Sequence, residues 1–250
     1  MALRAISFDL FDTLVDLDME GLPAFEVDGA LRRGTHPELH RVLQERGPTS
    51  FPELCRALEG VDRELRDAWA AEGRELPTRM RFEALTRSLG IDDPTLPGAL
   101  TQAHMRALQG QASTPAHHAG VLDQLALRCT LALCSNFSHA QTARDILESA
   151  RMLGQFRAVV ISEEVGFRKP RSEIFHAVLR GLEVEPHELL HVGDRLGADV
   201  AGAARLGVRT AWLTRRVRDP DAERRAYSGP APDHVLRDLS ELIDLVGRAD

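Results

Sequence analysis

Four short apolar runs alternate with amphipathic segments between residues 120 and 213, and this alternation restricts the fold more than any other feature of the chain. The runs are 129–134, 158–161, 189–192 and 208–213, and helices are expected near 138–149, 172–182 and 198–206. Strands and helices of these lengths in alternation imply a parallel sheet covered on both faces. A fifth run, RAISFDL at residues 4–10, reads as a first strand whose partners must come from this second half. In between, residues 31–109 change to charged-apolar segments at helical spacing, broken by Gly47-Pro48, Gly73, Gly90 and Pro94. Ser50, Pro52 and Glu53 form a helix-start pattern there. The expected fold is therefore α/β: a doubly wound, Rossmann-like parallel-sheet core from residues 1–15 and 114–250, interrupted by an all-helical insertion over 16–113. Residues 215–232, rich in Arg, Asp, Pro and Ala, read as an exposed loop.

Composition narrows the partners. With 31 basic and 38 acidic residues the net charge is −7, which gives no basic surface for nucleic acid or an anionic membrane. No apolar run approaches the roughly 18 residues of a membrane span, and Arg4, Asp9 and Asp12 in and just after the N-terminal apolar run are unlike a secretory signal. Cys55, Cys129 and Cys134 are odd in number and lack C-x-x-C spacing, so buried, reduced thiols in a cytoplasmic protein are expected. Lys169 is the single lysine; every other basic residue is arginine.

In an open parallel sheet, ligands bind beyond the carboxyl ends of the strands. Asp9, Asp12 and Thr13 follow the first run, Ser135 and Asn136 the second, Lys169-Pro170 the third, and Asp194 and Asp199 the fourth. Carboxylates converging at one place repel unless a cation neutralises them, and all-oxygen donors favour Mg²⁺. A hard cation beside one lysine and hydroxyl donors suits a phosphate, with one Asp left as nucleophile and another as proton carrier.

Asp9-Leu10-Phe11-Asp12-Thr13, Ser135-Asn136, Lys169-Pro170 and Gly193-Asp194 with Asp199 resemble, in order and spacing, the four motifs of the haloacid dehalogenase superfamily. The insertion after the first motif is similar to that family's C1 cap, so the resemblance spans the chain. It implies Asp9 as nucleophile and metal ligand, and Asp12 as general acid and then base, with its backbone carbonyl on the metal. Thr13 would position Asp12; Ser135 and the Asn136 amide would hold phosphate; Lys169 would pair with phosphate and Asp9. Asp194 would complete the metal ligands, and Asp199 would stand behind them or pair with Lys169. The implied activity is a Mg²⁺-dependent hydrolase of a small phosphorylated metabolite. Asp12 favours a phosphatase over a dehalogenase, because an alkoxide needs a proton on leaving and a halide does not. A phosphomutase and a non-catalytic module on the same fold stay open, as do the physiological substrate and oligomeric state. Arg195, where a small polar residue is expected, departs from the pattern.

Without the motif order, Asp9, Asp12, Asp194 and Asp199 would read as turn or helix-cap residues, and Ser135-Asn136 as an N-cap. His187-Glu188-Leu189-Leu190-His191 matches the zinc-protease pattern H-E-x-x-H, but Pro186 and the following strand leave no continuing helix to align the two imidazoles. His36, His40, His117 and His118 read as surface or hinge residues, and Trp69 and Phe82 as packing within the insertion.

Overall fold

The first apolar run forms strand β1 (Ala5–Phe8), with all four side chains buried, in the computed structural model, which describes residues 3–247. A strand without polar alternation is what a sheet covered on both faces requires. The later runs form β2 (Thr130–Ser135), β3 (Phe156–Ile161), β4 (Leu189–Gly193) and β5 (Arg209–Leu213). A sixth strand, β6 (His234–Leu236), completes a parallel sheet in the order β6-β5-β4-β1-β2-β3. In register, β1 pairs Phe8 with Leu133 of β2 on one side and with Val192 of β4 on the other, so the motif-bearing ends lie side by side. The strand order reverses at β1, which makes this end of the sheet the switch point.

The core helices include α1 (His118–Ala126), α2 (Ala140–Ser149), α3 (Ser172–Leu182), α4 (Ala201–Ala204), α5 (Pro220–Ala226) and α6 (Glu241–Gly247). Ile174, Phe175, Val178, Leu179 and Leu182 make one stripe of α3, which packs on Ala5, Ala132, Cys134 and Val160 of the sheet. Each such large side chain contributes about 1.5–3 kcal/mol by burial. Two readings of the sequence differ from this. Residues 215–232 are not loop throughout: Asp219 accepts from Ala222 N at 2.9 Å and Pro220 opens α5. The helix expected at 198–206 begins as a wide turn over Leu196–Val200 and becomes α-helical only at Ala201.

Packing separates the chain into two units, Met1–Asp16 with Thr114–Asp250, and Leu17–Ser113. The second has its own core, in which Leu39, Leu43, Leu54, Leu58, Phe82, Leu85 and Leu100 from four main helices, His36–Gln44, Phe51–Val61, Thr78–Ser88 and Leu96–Gln109, are buried together. Ser50 and Glu53 cap the second of these reciprocally. Arg81 grips Asp62 through two bonds of 2.6 and 2.7 Å. The unit is not all-helical as the sequence suggested: it also contains a hairpin, Ala24–Val27 with Ala30–Arg33, turned by Asp28 and Gly29 at φ 49° and 74°. Positive φ at both central residues is the hairpin turn that Asp-Gly favours. Trp69 lies under the Arg74 guanidinium, 4.1 Å from its ring centre. Among the described residues no helix is long and apolar enough to cross a membrane.

Candidate active site

The site begins where β1 ends. Asp9 N donates to Val192 O at 2.9 Å, so strand pairing carries one residue beyond β1 and fixes the Asp9 backbone. The chain then closes a tight loop: Leu14 N and Val15 N both donate to Leu10 O, and Asp12 N donates to Val15 O at 2.7 Å. That loop holds Asp12 at φ 58°, a left-handed conformation that Asp tolerates better than most residues.

Lys169 is the electrostatic centre. Its ammonium, 4% exposed as a residue, lies 2.7 Å from Asp9 Oδ1, 2.7 Å from Asp199 Oδ1 and 2.7 Å from the Cys134 carbonyl, so its three N–H groups have three acceptors. Burial lowers its proton affinity, but Asp199 and Asp9 outweigh that and the net shift is upward. Burial likewise opposes ionisation of Asp199, yet Lys169 and His191 hold its carboxyl below the usual carboxylate range. His191 links this pair to the strand behind it. Its Nε2 lies 3.2 Å from Asp199 Oδ1, so Nε2 carries the proton, and Nδ1 accepts from the Ser7 hydroxyl at 2.9 Å. Ser7, His191, Asp199, Lys169 and Asp9 thus form a continuous buried chain of polar contacts.

Asp194 completes a group of three carboxylates: one oxygen each of Asp9, Asp194 and Asp199 lies within 4.8 Å of the others. Burial first, and then the charges of Asp9 and Asp199, push the Asp194 carboxyl up to about 8. Burial raises Asp9 too, against the pull of Lys169. Asp194 Oδ1 is buried with no hydrogen-bond partner. Three carboxylates against one ammonium, with an orphaned oxygen, are a donor set that fits a hard divalent cation. The backbone supports this: Trp212 Nε1 donates to Asp194 O at 2.8 Å, and Arg195 N donates to Asp199 Oδ2 at 2.9 Å. Gly193 is obligatory, because a Cβ there would stand 2.2 Å from Asp199 Cγ.

The remaining sequence-predicted residues fall around this centre. Ser135 and Thr13 are fully buried, and neither hydroxyl has a hydrogen-bond partner among the described residues. The Asn136 side chain does something its motif did not announce: Nδ2 donates to Lys169 O at 3.0 Å and Oδ1 accepts from Lys169 N at 2.7 Å. The Asp12 carboxylate is not among the three that converge; its Oδ1 lies 3.4 Å from Arg216 Nε. Arg215, beside it, is paired with Asp16. The Arg195 side chain is exposed.

Sequence reasoning missed His191, Ser7 and Arg216. The zinc-protease pattern fails as expected, since His187 sits in the short turn Pro186–Glu188 and His191 lies in β4. The reading of His118 as a surface or hinge residue is corrected: it is fully buried, with Nδ1 2.9 Å from Leu14 O.

A family model of haloacid dehalogenase-like hydrolases matches residues 3–207. The chain belongs to that family. This haloacid dehalogenase-like hydrolase is 26% identical over 259 residues to the glyceraldehyde 3-phosphate phosphatase of Pyrococcus furiosus, covering 98% of this chain and 94% of that one. It is 33% identical over 176 residues to the phosphoserine phosphatase of Thermus thermophilus, over 70% of this chain and 66% of the relative. Among solved structures it resembles the 2-haloacid dehalogenase of Pseudomonas syringae pv. Tomato, with a TM-score of 0.67, 20% identity and coverage of 99% and 100%. At that identity the likeness is one of fold.

Proposed function

We propose that this hydrolase is a Mg²⁺-dependent phosphatase of small phosphomonoesters that works through an aspartyl phosphate on Asp9. The observation that carries the reading is the Asp9–Lys169 pair set against Asp194, whose buried oxygen lacks a partner. Phosphatases among the relatives point to the same chemistry.

The carboxylates of Asp9 and Asp194 and the backbone carbonyl of Asp12 would hold the ion. A bound Mg²⁺ would offset the charge of these carboxylates and of the phosphoryl oxygens. Lys169 favours the ionised form of Asp9 against the effect of burial and engages Oδ1, which leaves Oδ2 to attack phosphorus. The Ser135 and Thr13 hydroxyls and the Asn136 backbone amide would orient the phosphoryl oxygens or the Asp12 loop, needs that match the two unpaired hydroxyls. As the ester P–O bond breaks, Asp12 gives its proton to the leaving alkoxide. It then takes a proton from water, whose oxygen attacks the phosphorus of the acyl phosphate; inorganic phosphate leaves and Asp9 is restored.

The test is hydrolysis of p-nitrophenyl phosphate by wild type and by Asp9→Asn, with and without Mg²⁺. Metal-dependent phosphate release that falls by about 10⁴-fold in the variant, about 5 kcal/mol of barrier, is the expected result. Retained turnover in a folded Asp9→Asn would overturn the nucleophile. Halide release from a 2-haloacid, with no action on phosphate esters, would overturn the reaction class.

A further inference from the structure

Apart from the acidic pocket, one other group of side chains among the described residues stands at metal-binding spacing. His117, His118 and Asp238 each offer one ligand atom within 4.8 Å of the others. The histidines open α1 and Asp238 follows β6, so the group ties the start of a core helix to the last strand of the sheet. The two rings meet edge to face with centroids 4.7 Å apart. His117 Nε2 lies 3.0 Å from Asp238 Oδ2 and 3.1 Å from Oδ1.

His118 carries the argument. Its Nδ1 lies 2.9 Å from the Leu14 carbonyl, and a carbonyl can only accept. Nδ1 therefore bears the proton, and the lone pair of the ring sits on Nε2. Nε2 is buried and has no hydrogen-bond partner, in a residue that is 0% exposed. A buried acceptor without a donor costs about 1–3 kcal/mol. A ring whose other nitrogen is fixed on a backbone carbonyl is also the arrangement that orients metal-binding imidazoles. Burial lowers the pKa of His118, which keeps that lone pair available. The nearby cation, Arg215, is neutralised by Asp16, so the group keeps the single negative charge of Asp238.

We propose that His117, His118 (through Nε2) and Asp238 form a second metal site, for a borderline transition-metal dication of the Zn²⁺ or Co²⁺ class, with water in the open position. Two imidazoles and one carboxylate suit such an ion and not Mg²⁺, which prefers the all-oxygen pocket. On binding, the His117 proton that faces Asp238 moves to Nδ1 or is released, because only a ring nitrogen without its proton can hold the ion. The ion would brace His118 and, through its bond to Leu14 O, the end of the loop that carries Asp12 and Thr13.

The experiment titrates Co²⁺ into the full chain in excess Mg²⁺, reading the visible absorption of tetrahedral Co²⁺. It is repeated in Asp9→Asn/Asp194→Asn, which removes the acidic pocket. The expected result is one equivalent of Co²⁺ bound in both proteins and displaced by Zn²⁺, with affinity at least about 100-fold weaker in His117→Ala and in Asp238→Asn. Both of these positions are partly exposed, so both variants should fold. Zn²⁺ should also raise the thermal midpoint of the wild type and not that of His117→Ala. No uptake, uptake unchanged in His117→Ala, or uptake lost only in Asp9→Asn/Asp194→Asn would overturn the proposal.

Discussion

Asp194 is the residue whose protonation answers most directly to its surroundings. With its carboxyl pushed from the usual 3.8 up to about 8 by burial and by Asp9 and Asp199, the folded chain without metal holds a proton that the unfolded chain lacks across that window. The resulting stabilisation is fully present below about pH 4 and is lost as pH rises through about 8. Asp194→Asn without metal at pH 8 should therefore raise the thermal midpoint by about 2–4 °C, the shift that one kcal/mol produces at this size, while abolishing Mg²⁺-dependent turnover. A lower midpoint in a fluorimetric melt would show that the carboxylate is not strained. For the same reason the proposed Mg²⁺ would displace a proton on binding below pH 8, and its apparent affinity should weaken by up to about tenfold per pH unit down to pH 6. Calorimetry in two buffers of different ionisation enthalpy measures that release; an affinity flat over this range would count against it. At Asp12, replacement by Asn should cost about 10²–10⁴-fold on an alkyl phosphate and less on p-nitrophenyl phosphate, whose leaving group needs little help. Equal losses on both would remove the acid role. Asp9, Asp12 and Asp194 were legible because each lies at or just past the end of an apolar run. His191 and Ser7 were not, because a polar residue inside a strand reads as an exposed one until the neighbouring strand and α3 are seen to bury it.

At the scale of elements, the turn after β4 and the loop before α3 are held by opposite means. Gly193 gives way to Asp199 by having no side chain, whereas Asn136 grips the backbone of Lys169 from both sides. Gly193→Ala should cost about 1–3 kcal/mol by displacing Asp199, read as a lower denaturant midpoint together with lower activity. An alanine that left both unchanged would mean that the turn can relax. Sequence pattern revealed β1 to β5 because each carries a short, mainly apolar run, even where, as in β3, several side chains are only half-buried. It missed β6, where Val235 is 55% exposed at the sheet edge, and the Asp28-Gly29 hairpin, where Leu31 is 75% exposed. Both of these pieces bury too little to leave such a run. The Asn136 grip was illegible for a different reason: its partners are backbone atoms 33 residues away.

For the molecule as a whole, the net charge of −7 hides a concentration of charge at the carboxyl end of the sheet. Three carboxylates and one ammonium share that small volume, and burial makes each depend on the others. Removal of divalent ions with a chelator should abolish phosphatase turnover, and excess Mg²⁺ should restore it while the circular dichroism stays constant. Persistent turnover in the chelator would refute a metal-assisted reaction. Doubly wound topology was readable because one alternating pattern dictates it. The pairing of distant charges followed only once strand order was known. Lys169 carries one more implication: the sole ε-amine of this chain is protonated, enclosed and bound three ways, so acylating reagents cannot reach it in the native state. Mass spectrometry after brief exposure to such a reagent would count how often the carboxyl end of the sheet comes apart, with the enzyme serving as its own opening gauge.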